Sequence, residues 1–337
     1  MIAPTLKLLT NDRIKPELLS RISDEVALVE EELAQHVRSQ VGLVQQVGLH
    51  TLQAGGKRLR PAFVSLAAQA TGKPFDVERA RRLGAAMEMI HMATLIHDDV
   101  IDDAATRRGR PTASRVFGNT AAILGGDALL AKAMLVLARD GDVSLIRTVS
   151  EAVVDMCEGE VRELEVRGEF DLDVDAHLEV LRLKTASLIE CCCELGALIA
   201  GAPAEIAAAM RVYGHHVGMA FQIVDDILDY RGDKAKTGKP KATDFREGQA
   251  TLPLIYLVPA LSDAETAIVR RRFGNHPSDD EVRMLADWMA SRGAFERAER
   301  DARAHVERAL EALAPLGDSE ARELLETVAE YVVRREL

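Results

Sequence analysis

Residues 97–103 read His-Asp-Asp-Val-Ile-Asp-Asp and close an apolar helical run. Four carboxylates packed this densely repel one another, and a helix gains little from gathering them unless a cation binds. Helical spacing puts Asp98 and Asp102 on one face and pairs Asp99 with Asp103 beside them. Carboxylate oxygens are hard ligands suited to Mg2+, which keeps several waters and shares its shell with substrate phosphates. Taken alone, the same residues also fit a solvated acidic helix end. A second cluster, Asp225, Asp226 and Asp229 in FQIVDDILDY, repeats the i, i+1, i+4 spacing on another helix. Two such clusters are far less expected by chance than one. Facing each other across a cavity, they would hold several Mg2+ ions and a diphosphate.

A diphosphate also needs cations, and these come in groups. GGKRLRP at 55–61 gathers Lys57, Arg58 and Arg60 where two glycines permit a tight loop and Pro61 suits the first turn of the next helix. Unpaired N–H groups and the helix dipole favour an anion there, although a basic surface loop has the same composition. Arg107 and Arg108, in AATRRGRPT at 104–112, directly follow the first aspartates. They either neutralise the carboxylates or clamp phosphates. His91 lies two helical turns before Asp98, on roughly the same face, as a candidate diphosphate donor. Lys184, followed by Thr185, opens a nearly all-apolar helix and needs an anionic partner. The loop RGDKAKTGKPKATDFREGQ, after Tyr230, has the composition of a lid that phosphate orders. His97-Asp98 resembles the dipeptide of metal-dependent HD hydrolases, but the further His and Asp ligands of that fold are not evident.

The elements that must position these residues are helices. Ala, Leu, Glu and Arg recur, β-branched runs are short and aromatics are only 4% of the 337 residues. Helical patterning covers 16–50 (one helix or a pair), 76–103, 119–139, 145–166, 184–200 and 214–230, then returns over 251–337, with amphipathic segments near 293–314 and 318–335. Asp171, Asp173 and Asp175 form an acidic cap before a helix starting near 175, and the Gly-Gly-Asp inside 119–139 allows close helix packing. No compositional shift splits the chain, so a single domain over 1–337 is expected, with the helices of 1–50 peripheral or at a subunit contact. The net charge of −12 disfavours nucleic acid, and any anionic substrate needs a local cationic cluster against that field. Cys191, Cys192 and Cys193 are consecutive on a helix and so point to different faces; with Cys157 they read as free thiols, the run as small buried hydrophobes. The N-terminus lacks a signal-peptide pattern, and the longest apolar stretch, 121–138, contains Asp127 and Lys132. A soluble cytoplasmic protein without a transmembrane segment is the expectation.

With GGKRLRP, HDDVIDD followed by RRGRP, Lys184-Thr185 and FQIVDDILD in this order, the chain resembles the trans-isoprenyl diphosphate synthases from about residue 40 to its end. The resemblance implies an all-α fold of about a dozen helices around a central cavity, and a homodimer. It implies two or three Mg2+ ions held by Asp98 and Asp102, with Asp99 nearby, and by Asp225, Asp226 and Asp229. Lys57, Arg60, His91 and Arg108 would grip isopentenyl diphosphate. Arg107, Lys184, Thr185, Gln222 and Lys239 would contact the allylic diphosphate. Gln249 departs from the family, whose members often carry Lys in that context, and removes one cationic lid contact. Ala93 and Thr94, small residues five and four before Asp98, leave the product tunnel open at its top, where short-chain enzymes carry an aromatic; Ile90 lies one turn deeper. A long product, octaprenyl to decaprenyl and destined for a quinone side chain, is expected, with Ile123, Leu124 or Met134 as candidate floor. A class I terpene cyclase, a short-chain synthase and a non-catalytic subunit are the competing readings; both aspartate clusters and the GGKR site argue against the cyclase and the inactive subunit.

Overall fold

The computed structural model describes residues 16–232 and 241–334. Lys239, part of the lid stretch and the first residues of the N-terminus lie outside the described residues.

Apolar residues at helical spacing, separated by Glu and Arg, fold as the pattern predicts. The first pattern is a pair of helices, α1 (Pro16–His36) and α2 (Gly42–Gln53). Then follow α3 (Leu59–Ala70), α4 (Val77–Ile101), a two-residue hairpin, α5 (Ala113–Phe117), α6 (Asn119–Asp140), α7 (Val143–Val166), α8 (Val174–Leu181), α9 (Ser187–Ile199) and α10 (Ala204–Arg231). The C-terminal part holds α11 (Thr243–Glu247), α12 (Leu252–Leu257), α13 (Asp263–Arg272), α14 (Asp279–Ser291), α15 (Ala294–Ala312) and α16 (Glu320–Arg334). Capping is legible: Asp76 accepts from the Arg79 amide at 3.0 Å to start α4, Asp173 accepts from the Ala176 amide at 2.7 Å to start α8, and Ser262 and Ser278 complete capping boxes with Glu265 and Glu281. The fold is all-α. Its only strands among the described residues are β1 (Thr106–Arg107) and β2 (Arg110–Pro111).

The chain groups into two compact units. The first comprises Met1–Glu151, Cys191–Met210 and Leu316–Thr327; the second comprises Ala152–Glu190, Arg211–Pro315 and Val328–Leu337. In the first unit α4 is the central helix, with Leu83, Met87, Met89 and Ile90 fully buried. Glycines let its neighbours approach. A Cβ on Gly125 of α6 would stand 2.4 Å from Val47 of α2, one on Gly126 would stand 2.4 Å from His97 of α4, and one on Gly196 of α9 would stand 2.3 Å from the Val64 carbonyl of α3. The expected close packing at Gly-Gly-Asp is therefore present. Lys132 of α6 donates to the carbonyls of His36 and Arg38 at 3.0 and 2.7 Å. By length and composition α6 alone among the described helices could cross a membrane, yet it packs one face on α2 and α4. Cys191, Cys192 and Cys193 are buried and unbridged, as their spacing implied, and Cys157 is a free, exposed thiol. Burial pushes the Cys192 thiol far up.

In the second unit the core is built on α10, α12 and α15, with Ile223, Val224, Ile227, Tyr230, Leu254, Leu257 and Phe295 buried. Between α8 and α9 the chain makes a π-helical turn, Arg182–Ala186, which contains Lys184 and Thr185. A Cβ on Gly159 of α7 would meet the Lys184 amide at 2.5 Å, and one on Gly218 of α10 would meet Ala186 Cα at 2.7 Å, so the turn is held from two sides.

Candidate diphosphate and metal site

The first unit carries a cationic cradle at the start of α3. Arg58, its N-cap, sits at φ 51, a left-handed conformation uncommon for a residue with a Cβ. It is buried, donates to Glu88 of α4 at 3.0 Å, to Glu30 of α1 at 3.3 Å and to the Leu52 carbonyl at 3.1 Å. Arg58 is thus consumed by the fold. Arg60 and Arg108 make no ion pair with any described residue, and Arg60 Nε is buried without a hydrogen-bond partner. Burial lowers the Arg60 pKa, and the charge of Glu88 partly offsets this. Arg108 is lowered by burial and then by Arg58. Both remain charged near neutrality.

His91 faces the same cluster. Burial, then Arg60, Arg108, Arg107 and Arg58, hold its ring well below the usual imidazole range, so it is a neutral hydrogen-bond donor or acceptor. Arg108 reaches the cradle because it and Gly109, at φ 53 and 75, form the centre of the β1–β2 hairpin. Positive φ at both central residues is the two-residue turn that matches strand twist. Guanidinium nitrogens of Arg58 and Arg108 lie 2.9 and 3.0 Å from where a Gly56 Cβ would be. Arg58, Arg60, His91 and Arg108 therefore belong to one neighbourhood, in which Arg60 and Arg108 have no ion pair with a described residue; Lys57 precedes Arg58 in the same loop.

At the end of α4 the Asp102 amide donates to the Asp98 carbonyl at 2.9 Å, which keeps the two residues one turn apart. Asp98 is half-buried and Asp102 exposed. The expected second pair does not form. The helix stops at Ile101, Asp103 turns to φ 49, and its carboxylate pairs with Arg115 at 2.9 Å on the surface. Asp99 goes the other way: buried, it accepts from Arg107 Nε at 2.7 Å. Arg107 is a neutraliser here, and a phosphate must compete with Asp99 for it.

In the second unit the three aspartates of α10 also divide. Asp225 and Asp229 are half-buried, whereas Asp226 is buried and accepts from His177 Nε2 at 2.7 Å. Asp229 accepts from the amides of Thr243 and Asp244 at 3.0 and 3.1 Å, which fixes the start of α11. Residues 241–249, expected as part of a lid ordered by phosphate, are partly helical and anchored to α10 through Asp229. Burial and the Asp229 charge push the Asp244 carboxyl well above the usual range. Lys184 is gripped by Glu160 at 2.9 Å and Glu163 at 2.5 Å. Burial works against its charge, but the two glutamates, Glu163 first, overcome this and raise its pKa. Thr185 and Gln222 are half-buried.

Glu88, Glu160, Glu163, His177 and Asp244 were not singled out from the sequence. Glu88 had a usable signal: it is a lone charge inside the apolar run AAMEMIHMA. No three His, Cys, Asp or Glu side chains among the described residues converge tightly enough to hold a metal by themselves. The donors nonetheless fit Mg2+: all are carboxylates, and that ion keeps waters and substrate oxygens in its shell rather than demanding a full protein cage.

An all-helical fold with aspartate turns, and with guanidiniums that make no ion pair among the described residues, has the chemistry expected of a diphosphate-handling protein. Residues 41–289 match the polyprenyl synthetase family, and the chain belongs to it. It is 40% identical to heptaprenyl diphosphate synthase component 2 of Geobacillus stearothermophilus over 319 residues, 95% of this chain and 98% of that one. The crystal structure of a decaprenyl diphosphate synthase from Rhodobacter capsulatus matches with a TM-score of 0.88 at 34% identity, over 98% of this chain and 99% of that one. The crystal structure of a polyprenyl synthase from Caulobacter crescentus CB15, complexed with calcium and isoprenyl diphosphate, matches with a TM-score of 0.90 at 31% identity, over 100% and 99%. The chain is accordingly a prenyltransferase that makes prenyl diphosphates.

Proposed function

We propose that the protein condenses isopentenyl diphosphate with an allylic diphosphate, in a Mg2+-dependent reaction, to give a long all-trans polyprenyl diphosphate of octaprenyl to decaprenyl size for a quinone side chain. The observation that carries the substrate reading is the cradle: Arg60 and Arg108 lie close enough to His91 to depress its pKa, and neither guanidinium makes an ion pair among the described residues. A diphosphate supplies that missing charge through charge-assisted hydrogen bonds. Lys57, Arg60, His91 and Arg108 bind isopentenyl diphosphate; Arg107, Lys184, Thr185, Gln222 and Lys239 bind the allylic diphosphate. Asp98 and Asp102, with Asp99 behind them, and Asp225 and Asp229, with Asp226 behind them, hold the metal, as two or three ions.

Bound Mg2+ supplies charge neutralisation that makes the allylic diphosphate a leaving group. The protein's own groups do the rest by orientation and electrostatics. The allylic C–O bond ionises with release of diphosphate, the isopentenyl double bond attacks the resulting cation, and a proton passes to the released diphosphate to complete the new double bond. No protein nucleophile is required. Neutral His91 can donate to a phosphate oxygen without adding a charge that must be balanced when the product leaves.

Relatives that make hepta- and decaprenyl chains support a long product, as do the small side chains above Asp98. Ile90 and Ala93 are buried and Thr94 is half-exposed. A homodimer is proposed as well. Leu124 and Leu135 of α6 are exposed at 58% and 47%, and Val154 and Val161 of α7 at 54% and 57%, an unusual run of large apolar side chains for two neighbouring helices in the chain. The component 2 label of the Geobacillus relative makes an unlike partner the alternative, and light scattering on the purified chain separates the two. Incubation with farnesyl diphosphate and labelled isopentenyl diphosphate, with and without Mg2+, tests the reaction. Metal-dependent elongation to eight or more prenyl units supports it; a cyclic hydrocarbon, or no turnover by the purified chain, defeats it.

A further inference from the structure

We propose that His177 is a positioning residue: by holding Asp226 it sets the aspartate turn of α10 for metal binding. The proposal rests on the reading of Asp225 and Asp229 as metal ligands. His177 lies on α8, a helix whose start is fixed by Asp173, and its ring is buried. Nε2 stands 2.7 Å from Asp226 Oδ2, and both side chains are almost wholly enclosed, at 7% and 5% exposure. A carboxylate only accepts, so Nε2 carries the hydrogen and donates it. A buried carboxylate without such a donor would carry a heavy desolvation penalty and would turn toward water or a cation.

The consequence follows from what lies on either side of this bond. Asp226 stands between Val224 and Ile227, both fully buried, so the backbone of this turn is packed. What remains adjustable is the carboxylate, and His177 fixes it inward. Asp225 and Asp229, one turn apart and half-buried, are the more exposed carboxylates of the turn, Asp229 while also accepting from the start of α11. On the other side, α8 runs directly into the π-helical turn bearing Lys184 and Thr185. That turn is pressed against α10 where a Gly218 Cβ would meet Ala186 Cα at 2.7 Å. One hydrogen bond therefore ties the Lys184 segment to the aspartate segment near both sets of proposed ligands. Partners one step behind a metal ligand typically contribute about 10–100-fold in metal affinity or activity, and His177, which acts one step further back through Asp226, is placed at the low end, about tenfold.

Three variants test this: His177→Phe, which keeps an aromatic ring but donates nothing; His177→Gln, whose amide can replace the donor; and Asp225→Asn, which alters a proposed ligand. Binding of Mn2+ in the presence of inorganic diphosphate is followed by electron paramagnetic resonance, alongside Mg2+ titrations of isopentenyl incorporation and melting temperature. His177→Phe is expected to weaken Mn2+ binding and raise the half-saturating Mg2+ concentration about tenfold, with KM for isopentenyl diphosphate changed much less. His177→Gln is expected to recover most of both losses. Unchanged metal binding in folded His177→Phe overturns the proposal. So does a Gln variant as impaired as Phe with the same drop in melting temperature, because that marks a purely structural contact. Asp225→Asn separates the two levels: if it binds Mn2+ normally, the ligand assignment itself fails whatever His177 does.

Discussion

Arg58 and Arg60 are two residues apart in one basic motif, and the structure predicts opposite consequences for losing them. Arg58 and Glu88 form a buried pair at 3.0 Å with side-chain exposures of 2% and 4%. Arg58→Met leaves Glu88 buried with its nearest partner gone, a change that typically destabilises a protein by about 3–5 kcal/mol. With an unfolding entropy of about 2.1 cal/mol/K per residue over 337 residues, the melting temperature should fall by about 4–7 °C. Arg60→Met removes a guanidinium whose Nε is buried and unpaired. The methionine keeps the apolar stem, and the ligand-free protein sheds a desolvation cost, so its melting temperature should hold or rise. The loss appears on binding instead. One charge-assisted hydrogen bond contributes about 1.5–3 kcal/mol, which raises KM for isopentenyl diphosphate by about 10–150-fold. The assays are thermal unfolding without substrate and initial rates at saturating allylic diphosphate. An Arg60→Met enzyme with unchanged KM, or one as destabilised as Arg58→Met, would refute the division of roles.

Thr94→Phe should shorten the product without much loss of stability, because Thr94 is half-exposed, while Ala93→Phe should shorten it and also cost about 1–3 kcal/mol by overpacking a buried site; chromatography of the products decides, and unchanged length disproves the tunnel position. Gly159→Ala places a Cβ 2.5 Å from the Lys184 amide, so the π-helical turn must shift; turnover should fall at least about tenfold and a wild-type rate would show that the turn is not critical. His216 and His305 share a hydrogen bond between their Nδ1 atoms at 2.9 Å, and burial brings both pKa values down to about 4. Unfolded rings titrate near about 6.5, so between those values the unfolded chain binds more protons, and stability is lost as pH falls from about 6.5 toward 4. His215 and Arg308 deepen the effect and Glu190 opposes it. Replacing both rings by Gln should flatten that part of the melting-temperature profile; an equally steep profile would place the acid sensitivity elsewhere.

Helices, their caps and the buried cysteine run were legible because each depends on residues close in sequence. The aspartate clusters were legible as compositions but not as geometries. Asp103 was paired with Asp99 by spacing, yet α4 ends at Ile101 and Asp103 turns to φ 49, a backbone choice tied to the hairpin that follows. Asp226 looked equivalent to Asp225 until His177, 49 positions earlier, was found against it. Lys184 advertised its need for an anion, but nothing local named Glu160 and Glu163 on α7. The loop after Tyr230 reads as one polar segment, and only the capping of α11 by Asp229 shows that its second half is anchored. What sequence withheld in each case is the partner across a long chain separation.

The charge arithmetic of the cradle explains why those partners matter. Arg58, Arg60, Arg107 and Arg108 cluster with His91, inside a chain whose net charge is −12. Glu88 neutralises Arg58, and Asp99 holds Arg107. If every cation were so paired, the cradle would be a stable salt-bridge network with no affinity for anions. If none were, mutual repulsion and desolvation would oppose folding. Two paired guanidiniums and two unpaired ones keep the cluster assembled and leave a local positive excess at Arg60 and Arg108. His91 fits the same logic. Kept neutral by the arginines around it, it adds a directed hydrogen bond without adding repulsion. On the proposed reading of the cradle, the affinity for a diphosphate is therefore set as much by Glu88 and Asp99, through the arginines they pair, as by Arg60 and Arg108.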